Sequence, residues 1–295
     1  MATDDPQADS RQGTAATSSG AAARQTSTST GGQREKPEQQ LEIKAKGMQR
    51  TGERERWGKV EAARDRDVLV WIGRFRFVTT DVLARRFGVS AQRMRARVRR
   101  LEQRGHVQRV ARLPNQAAVI YLTPRGSAEI GSRRHRPPRP DTHRAHELAL
   151  TELVCQLEQA ARPGLEVLTE RDARDREATS QRRYSVDVTD EQGRRAKRWA
   201  DVLITSPTRT VAMELEFAEK SSARLRGILD SYLASSMSEV RFLVSSPTLA
   251  GRLSLLAAQQ AHGMRAFSAT LCAITIAPWS GVTPDVADAI RARLT

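Results

Sequence analysis

The chain has 295 residues, which as a soft prior holds about two domains, and carries 49 basic against 34 acidic side chains. The excess of fifteen is not spread: residues 1–55 hold eight of each sign and 141–295 hold twenty of each, while 56–140 hold 21 basic and 6 acidic. That distribution excludes a uniformly basic surface and points to one segment built to meet a polyanion, and two cysteines, Cys155 and Cys272, are too few and too far apart for a disulfide framework or a cysteine zinc site.

The N-terminus, MATDDPQADS, begins with acids and has no apolar run, and no stretch of the chain approaches 18 apolar residues. A soluble, reduced, cytoplasmic chain with no membrane partner is expected. Residues 1–55 are Ser, Thr, Gly, Ala and Gln with few large apolar side chains, so they are read as a disordered tail. Residues 131–141, GSRRHRPPRPD, carry three prolines and a cluster of arginines, as a stiff linker would. Two folded units are expected, 56–130 and 142–295.

In the first unit a helix over 60–74 presents Val68, Leu69, Trp71 and Ile72 on one side. Thr79 or Thr80 caps a second helix, whose Leu83 and Phe87 fall at i and i+4 and which ends at Gly88. Ser90 opens a third helix, in which Met94, Val98 and Leu101 share a buried face, and Gly105 closes it. Two helices joined by a turn of about three residues make a helix-turn-helix. Strands over 107–112 and 117–122, turning at Leu113–Gln116, follow as the wing of a winged helix, and Thr123 caps a short closing helix. The third helix leaves Gln92, Arg93, Arg95, Arg97, Arg99 and Arg100 around its surface. A merely solvated face would mix Glu with Arg to gain i,i+4 pairs. With Ser90, and with Arg109 and Arg112 on the wing, these residues are the expected contacts to double-stranded DNA.

The second unit reads as a helix over 142–162, with Leu148, Val154, Leu157 and Cys155 on its apolar side. Strands at 165–170, 184–189, 198–205 and 211–217 follow, the middle pair hairpinned through 190–193. A helix over 218–235, a strand over 240–245, a helix over 247–261, a strand over 266–277 and a last helix over 284–294 complete it. That order is an α/β sheet with helices on its faces. Asp201 in one strand and Glu214 with Glu216 on one face of the next bring three carboxylates together. Glu147 on the opening helix, beside His143 and His146, completes a set of oxygen donors suited to Mg2+. The metal ligands expected are Glu147, Asp201 and Glu214, with Glu216 and Lys220 as catalytic candidates.

An acid on a helix, an Asp, and about a dozen residues later a Glu-x-Lys is similar to the core of restriction-endonuclease-like nucleases. The resemblance implies a metal that activates water for phosphodiester hydrolysis and a Lys that positions the water. This chain departs from it, because Glu216 stands where that Lys would be and Lys220 is four residues on. The succession of a winged helix, THRAHELALTEL, WADVLI and MELEFAEKSSARLRGILDSY resembles the replication-relaxation family over about residues 60–250. These are winged-helix proteins of conjugative plasmids and integrative elements. Glu216 would match the acid of that family's strand motif, while Arg226 replaces the Lys expected before Tyr232. The resemblance implies binding of plasmid DNA in replication, relaxation or mobilisation, with relaxosome or replication proteins as partners, and a homodimer is compatible with it. Two other readings stand beside it: a magnesium-dependent DNA nickase, and a transcription regulator whose second unit senses a ligand or dimerises.

Overall fold

Residues 60–73 are helical in the computed structural model and form α1, with Val68, Leu69, Trp71 and Ile72 buried at the spacing that gives one helical face. The structure describes residues 60–110, 118–132, 144–189, 192–264 and 272–279. The expected tail over 1–55, the turn at 113–116, most of the linker and the helix over 284–294 lie outside the described residues.

After α1 come β1 (Val78–Thr79), α2 (Thr80–Arg86), α3 (Ala91–Gln103), β2 (Val107–Val110), β3 (Val119–Leu122) and α4 (Pro124–Glu129). Thr79, Ser90 and Thr123 each accept a backbone N–H from the first turn of the helix they precede, as their residue types favour. Gly88 and Gly105 end α2 and α3 at φ 61° and 73°, the left-handed region where glycine carries no steric penalty. The strands pair antiparallel in the order β1-β3-β2, with Val78 opposite Ile120 and Val107 opposite Leu122. β1 was not expected; two residues are too short to show an alternation.

The remaining elements are α5 (Arg144–Ala160), β4 (Glu166–Thr169), α6 (Glu170–Thr179), β5 (Ser185–Thr189), β6 (Arg195–Trp199), β7 (Val202–Thr205), β8 (Thr210–Glu216), α7 (Ser222–Leu233), β9 (Glu239–Val244), α8 (Pro247–Met264) and β10 (Ala273–Pro278). The architecture is mixed α/β. Five strands form a mixed sheet in the order β10-β9-β8-β7-β4, parallel from β10 to β8 and antiparallel from β8 to β4, and β5 with β6 makes a separate hairpin. β7, β8 and β9 are buried along nearly their whole length, as central strands covered on both faces must be. No helix among the described residues is long and apolar enough to cross a membrane.

Several sequence expectations change here. The strand expected over 198–205 is two strands broken at Ala200 and Asp201. The Asp201 carboxylate accepts the Leu215 N–H at 2.8 Å, doing the work of a ladder carbonyl, so β6 leaves the sheet and pairs with β5 instead. Asp201 therefore sits just before β7, outside any strand. α6 was missed because it buries Ala173 alone and has no apolar periodicity; its mark is the capping box of Thr169 and Asp172. The helix expected from Ala218 begins at Ser222, which leaves Lys220 in the preceding loop. Leu148 is half-buried, whereas Val154, Cys155 and Leu157 are buried as expected.

One apolar cluster runs from Leu69, Leu83 and Leu101 through Leu153, Val154 and Cys155 of α5 to Val202, Met213 and Leu243 on one face of the sheet. A second lies on the other face, under α7 and α8. Polar contacts reinforce the first. Arg74 donates from Nε to Asp172 at 2.7 Å and from Nη2 to the Val167 carbonyl at 2.8 Å, and it also pairs with Glu158. Glu158 accepts from Trp71 Nε1 at 2.9 Å and pairs with Arg86. Arg85 pairs with Glu152, and Arg76 Nε lies 3.0 Å from Glu147. Residues 60–132 are thus joined to α5 and α6 by a row of arginine–carboxylate pairs as well as by shared apolar packing.

The close approach of α4 to the chain after α3 gives a test. A Cβ added at Gly126 would stand 1.9 Å from the His106 carbonyl oxygen, a backbone atom that cannot swing aside. Gly126→Ala is expected to destabilise the fold by about 3 kcal/mol. The check is a melting temperature lowered on the order of 10 °C; an unchanged melting curve would contradict the packing described.

Candidate functional site

α3 has three faces with different chemistry. Met94, Val98 and Leu101 are buried. A second face turns to α1, where Arg97 Nε lies 3.2 Å from Asp65 Oδ1, Arg104 donates to Asp65 Oδ2 at 3.2 Å and Arg100 pairs with Glu61. Burial raises the pKa of Asp65, and the charges of Arg97, Arg100 and Arg104 oppose that rise. The third face carries Gln92, Arg95, Arg99 and Gln103 in solvent, and Arg93, one turn before Arg97 on the side of α1, is exposed as well. None of Arg93, Arg95 and Arg99 has an acidic partner among the described residues. Ser90 serves α3 as its cap, its Oγ accepting the Arg93 N–H at 3.3 Å. Arg109 on β2 leans on Glu102, which accepts its N–H at 3.1 Å and lies 3.7 Å from its guanidinium. Arg112 lies outside the described residues.

Glu147 and Glu214 each lie within reach of the Asp201 charge, and each carboxylate of the expected site is met by a base of this chain. Glu214, with 2% of its side chain exposed, receives Arg198 Nε at 3.2 Å and Nη2 at 2.7 Å, and the Tyr232 hydroxyl donates to its Oε1. Asp201 Oδ2 takes the Leu215 N–H and lies 3.2 Å from His146 Nε2. Glu147 faces Arg76, and Glu216 pairs with Lys220. Burial raises the pKa of Glu214 against the opposing charge of Arg198, whose own pKa is raised mainly by Glu214. Burial disfavours the charged form of His146, but the hydrogen bond to Asp201 and the charges of Asp201, Glu147 and Glu214 outweigh it and raise the pKa. Burial and Glu214 both raise the pKa of Tyr232, which keeps its hydroxyl a donor.

This donor set does not fit a magnesium ion. Both oxygens of Glu214 are engaged by a guanidinium, Asp201 and Glu147 face other partners, and among the described residues no group of three or more His, Cys, Asp and Glu side chains is placed to hold a metal. Arg198, which completes the cluster with Tyr232, was not singled out from the sequence, and Tyr232 was named only as the helix tyrosine of the family motif, without a role. Tyr232 lies 18 residues from Glu214 with a loop between them, and no spacing rule links them.

Glu177, at the end of α6, anchors the β5–β6 hairpin beside this cluster. It accepts from the backbone of Tyr184 and Ser185, from Ser185 Oγ, from Lys197 Nζ and from Trp199 Nε1, at 2.8 to 3.1 Å. Burial opposes its charge, but the Lys197, Tyr184 and Ser185 hydrogen bonds prevail and lower its pKa to about 2.

The model of the replication-relaxation family matches residues 69–237, more than half of the chain. No curated protein and no solved structure matches the chain.

Two measurements test this geometry. Arg198→Ala leaves a buried carboxylate without its cation and is expected to cost about 3–5 kcal/mol in urea denaturation, whereas Arg198→Met with Glu214→Leu should recover most of it; equal losses in both variants would rule out the pairing as the cause. For Glu177 the folded pKa lies below its ordinary 4.5, so its contribution is present above pH 4.5 and is lost as pH falls towards about 2. Wild type should therefore outlast Glu177→Gln near neutrality and converge with it in acid. A stability difference that does not shrink on acidification would contradict this.

Proposed function

The chain belongs to the replication-relaxation family, and from that premise we propose that it binds double-stranded DNA in the replication, relaxation or mobilisation of a plasmid or integrative element. On this reading α1, β1, α2, α3, β2 and β3 are a winged helix, α3 is its recognition helix, and the helix-turn-helix presents α3 to the major groove. The observation that carries it is the division of arginines on α3. Arg97, Arg100 and Arg104 are neutralised by Asp65 and Glu61 of α1, while Arg95 and Arg99, one helical turn apart, are exposed with no acidic partner among the described residues. Like charges at i,i+4 repel, and a polyanion removes that cost. Arg95, Arg99 and Gln92 are then the base-edge and phosphate contacts, Arg93 and Arg109 reach flanking phosphates, and Arg97 and Arg100 set the pose of α3 rather than touch DNA.

The five-stranded sheet with α5, α7 and α8 is read as restriction-endonuclease-like in fold and accessory in role. Glu214 and Glu216 bound to Arg198 and Lys220 support a carboxylate cluster that holds the domain together rather than one that hydrolyses DNA. Supercoiled plasmid incubated with the protein and Mg2+ should stay supercoiled; nicking that disappears in Asp201→Ala would restore the nickase reading.

DNA binding is tested by fluorescence anisotropy on a duplex across a salt series. Arg95→Ala and Arg99→Ala should each weaken binding and, where the lost contact is a phosphate, lower the slope of log affinity against log salt by about 1. Arg100→Ala should leave that slope unchanged and lower thermal stability slightly. Equal effects from all three substitutions would show that the pairing with α1 does not sort these arginines. Mapping the bound site to a transfer or replication origin supports the reading, and a promoter favours a regulator.

A further inference from the structure

Beside Asp201 a cleft of about 720 Å3 opens between α6, the β5–β6 hairpin and the first turn of α7. Its size is that of sites that enclose small ligands or single nucleotide units, and is small for a duplex about 20 Å across. Arg174, Arg194, Lys197, Arg198 and Arg224 line it, with Glu170 and Asp201 the acids among the described lining residues. Both acids are already engaged, Glu170 by Arg174 and Asp201 by His146 and the Leu215 N–H. The counter-acids of Lys197 and Arg198, which are the half-buried Glu177 and the buried Glu214, are outside the lining. The cationic heads are therefore held in place from behind. The Arg224 side chain has no partner among the described residues, and it stands in the first turn of a twelve-residue helix, where the backbone dipole favours an anion.

The cleft also offers flat surfaces. The Arg174 guanidinium lies over the Trp199 ring at 4.4 Å, and its Nε is buried without an acceptor. Bases that are not paired stack on aromatic rings and on guanidinium planes, and their phosphates track cationic walls. A paired base has no free face to offer.

We infer that this cleft binds a single-stranded DNA segment through its phosphates and one or two stacked bases, without a divalent cation, on a surface separate from α3. The carboxylates that would need a metal to tolerate a phosphate are met instead by the Arg198 guanidinium and the His146 ring. This extends the proposed function and does not depend on it, since the two surfaces can fail separately.

The test uses the full chain and a fluorescein-labelled oligothymidylate, read by anisotropy in EDTA and again in Mg2+. Wild type is expected to bind with equal affinity in both. Arg194→Glu with Arg224→Glu reverses charge on the cleft wall without touching Glu177 or Glu214, and should weaken the oligonucleotide about tenfold or more while leaving duplex binding within a factor of two or so. Arg95→Ala with Arg99→Ala should keep the oligonucleotide and lose the duplex. An unchanged oligonucleotide affinity in the cleft variant, a requirement for Mg2+, or displacement by inorganic phosphate as efficiently as by unlabelled strand would each overturn the inference. Circular dichroism on the same variants separates a folding defect from lost contacts: a cleft variant that melts early is replaced by Arg224→Ala, which removes one lining cation and should still weaken the oligonucleotide severalfold.

Discussion

A carboxylate as deeply buried as Glu214 is tolerable only with a cation and a hydrogen-bond donor at its oxygens, and much of the second half of the fold is organised to supply them. Arg198 comes from β6, a strand that has left the main sheet, and Tyr232 from α7 on the sheet's outer face. Two elements that share no backbone ladder with β8 are thereby fixed to it. The neighbouring Asp201 works in the same way on the backbone, its side chain taking the Leu215 N–H at the point where the chain turns out of the sheet. The strand break, the hairpin beside it and the cleft beneath that hairpin follow from the buried Glu214, the half-buried Asp201 and the groups that match them.

Electrostatic pairing has a second use on α3. The helix carries five arginines within eight residues, and the fold sorts them by direction. Those that turn to α1 meet Asp65 and Glu61, while Arg95 and Arg99 on the side opposite the core are exposed, with no acidic partner among the described residues. The net charge of the region is unaffected by the sorting, but its effective face narrows to a few side chains. Under the proposed reading, affinity for a polyanion and the orientation of the helix that delivers it are assigned to different arginines of one segment.

Much of this was legible in the sequence wherever the information is local. The helix caps at Thr79, Ser90 and Thr123, the glycines that end α2 and α3, and the buried stripe of Met94, Val98 and Leu101 are all set by residues a few positions apart. Asp201, Glu214 and Glu216 were singled out, and of these Asp201 and Glu214 lie close enough to act on each other's charge. What could not be seen is carried by pairs distant in sequence: Arg74 with Glu158 and Asp172, Arg76 with Glu147, Arg198 with Glu214. Any arginine in this chain has many acids to choose from, and composition does not say which it meets. α6 escaped for a different reason. It is polar on nearly all sides and held by its capping box and by Glu177, so hydrophobic periodicity, the usual mark of a helix, is absent.

The row of ion pairs that binds Arg74, Arg76, Arg85 and Arg86 to the acids of α5 and α6 bears on how such a protein can change over time. A DNA-reading unit tied to its neighbour by a flexible tether can be exchanged for another by recombination, because little crosses the join. Here a transplanted unit would have to arrive with arginines at the positions that meet Glu147, Glu152, Glu158 and Asp172, or leave those acids stranded against an apolar surface. Under the proposed reading, new target preference is therefore more accessible by point substitution on the solvent face of α3 than by wholesale swapping, and the two halves of the chain are expected to have been inherited together.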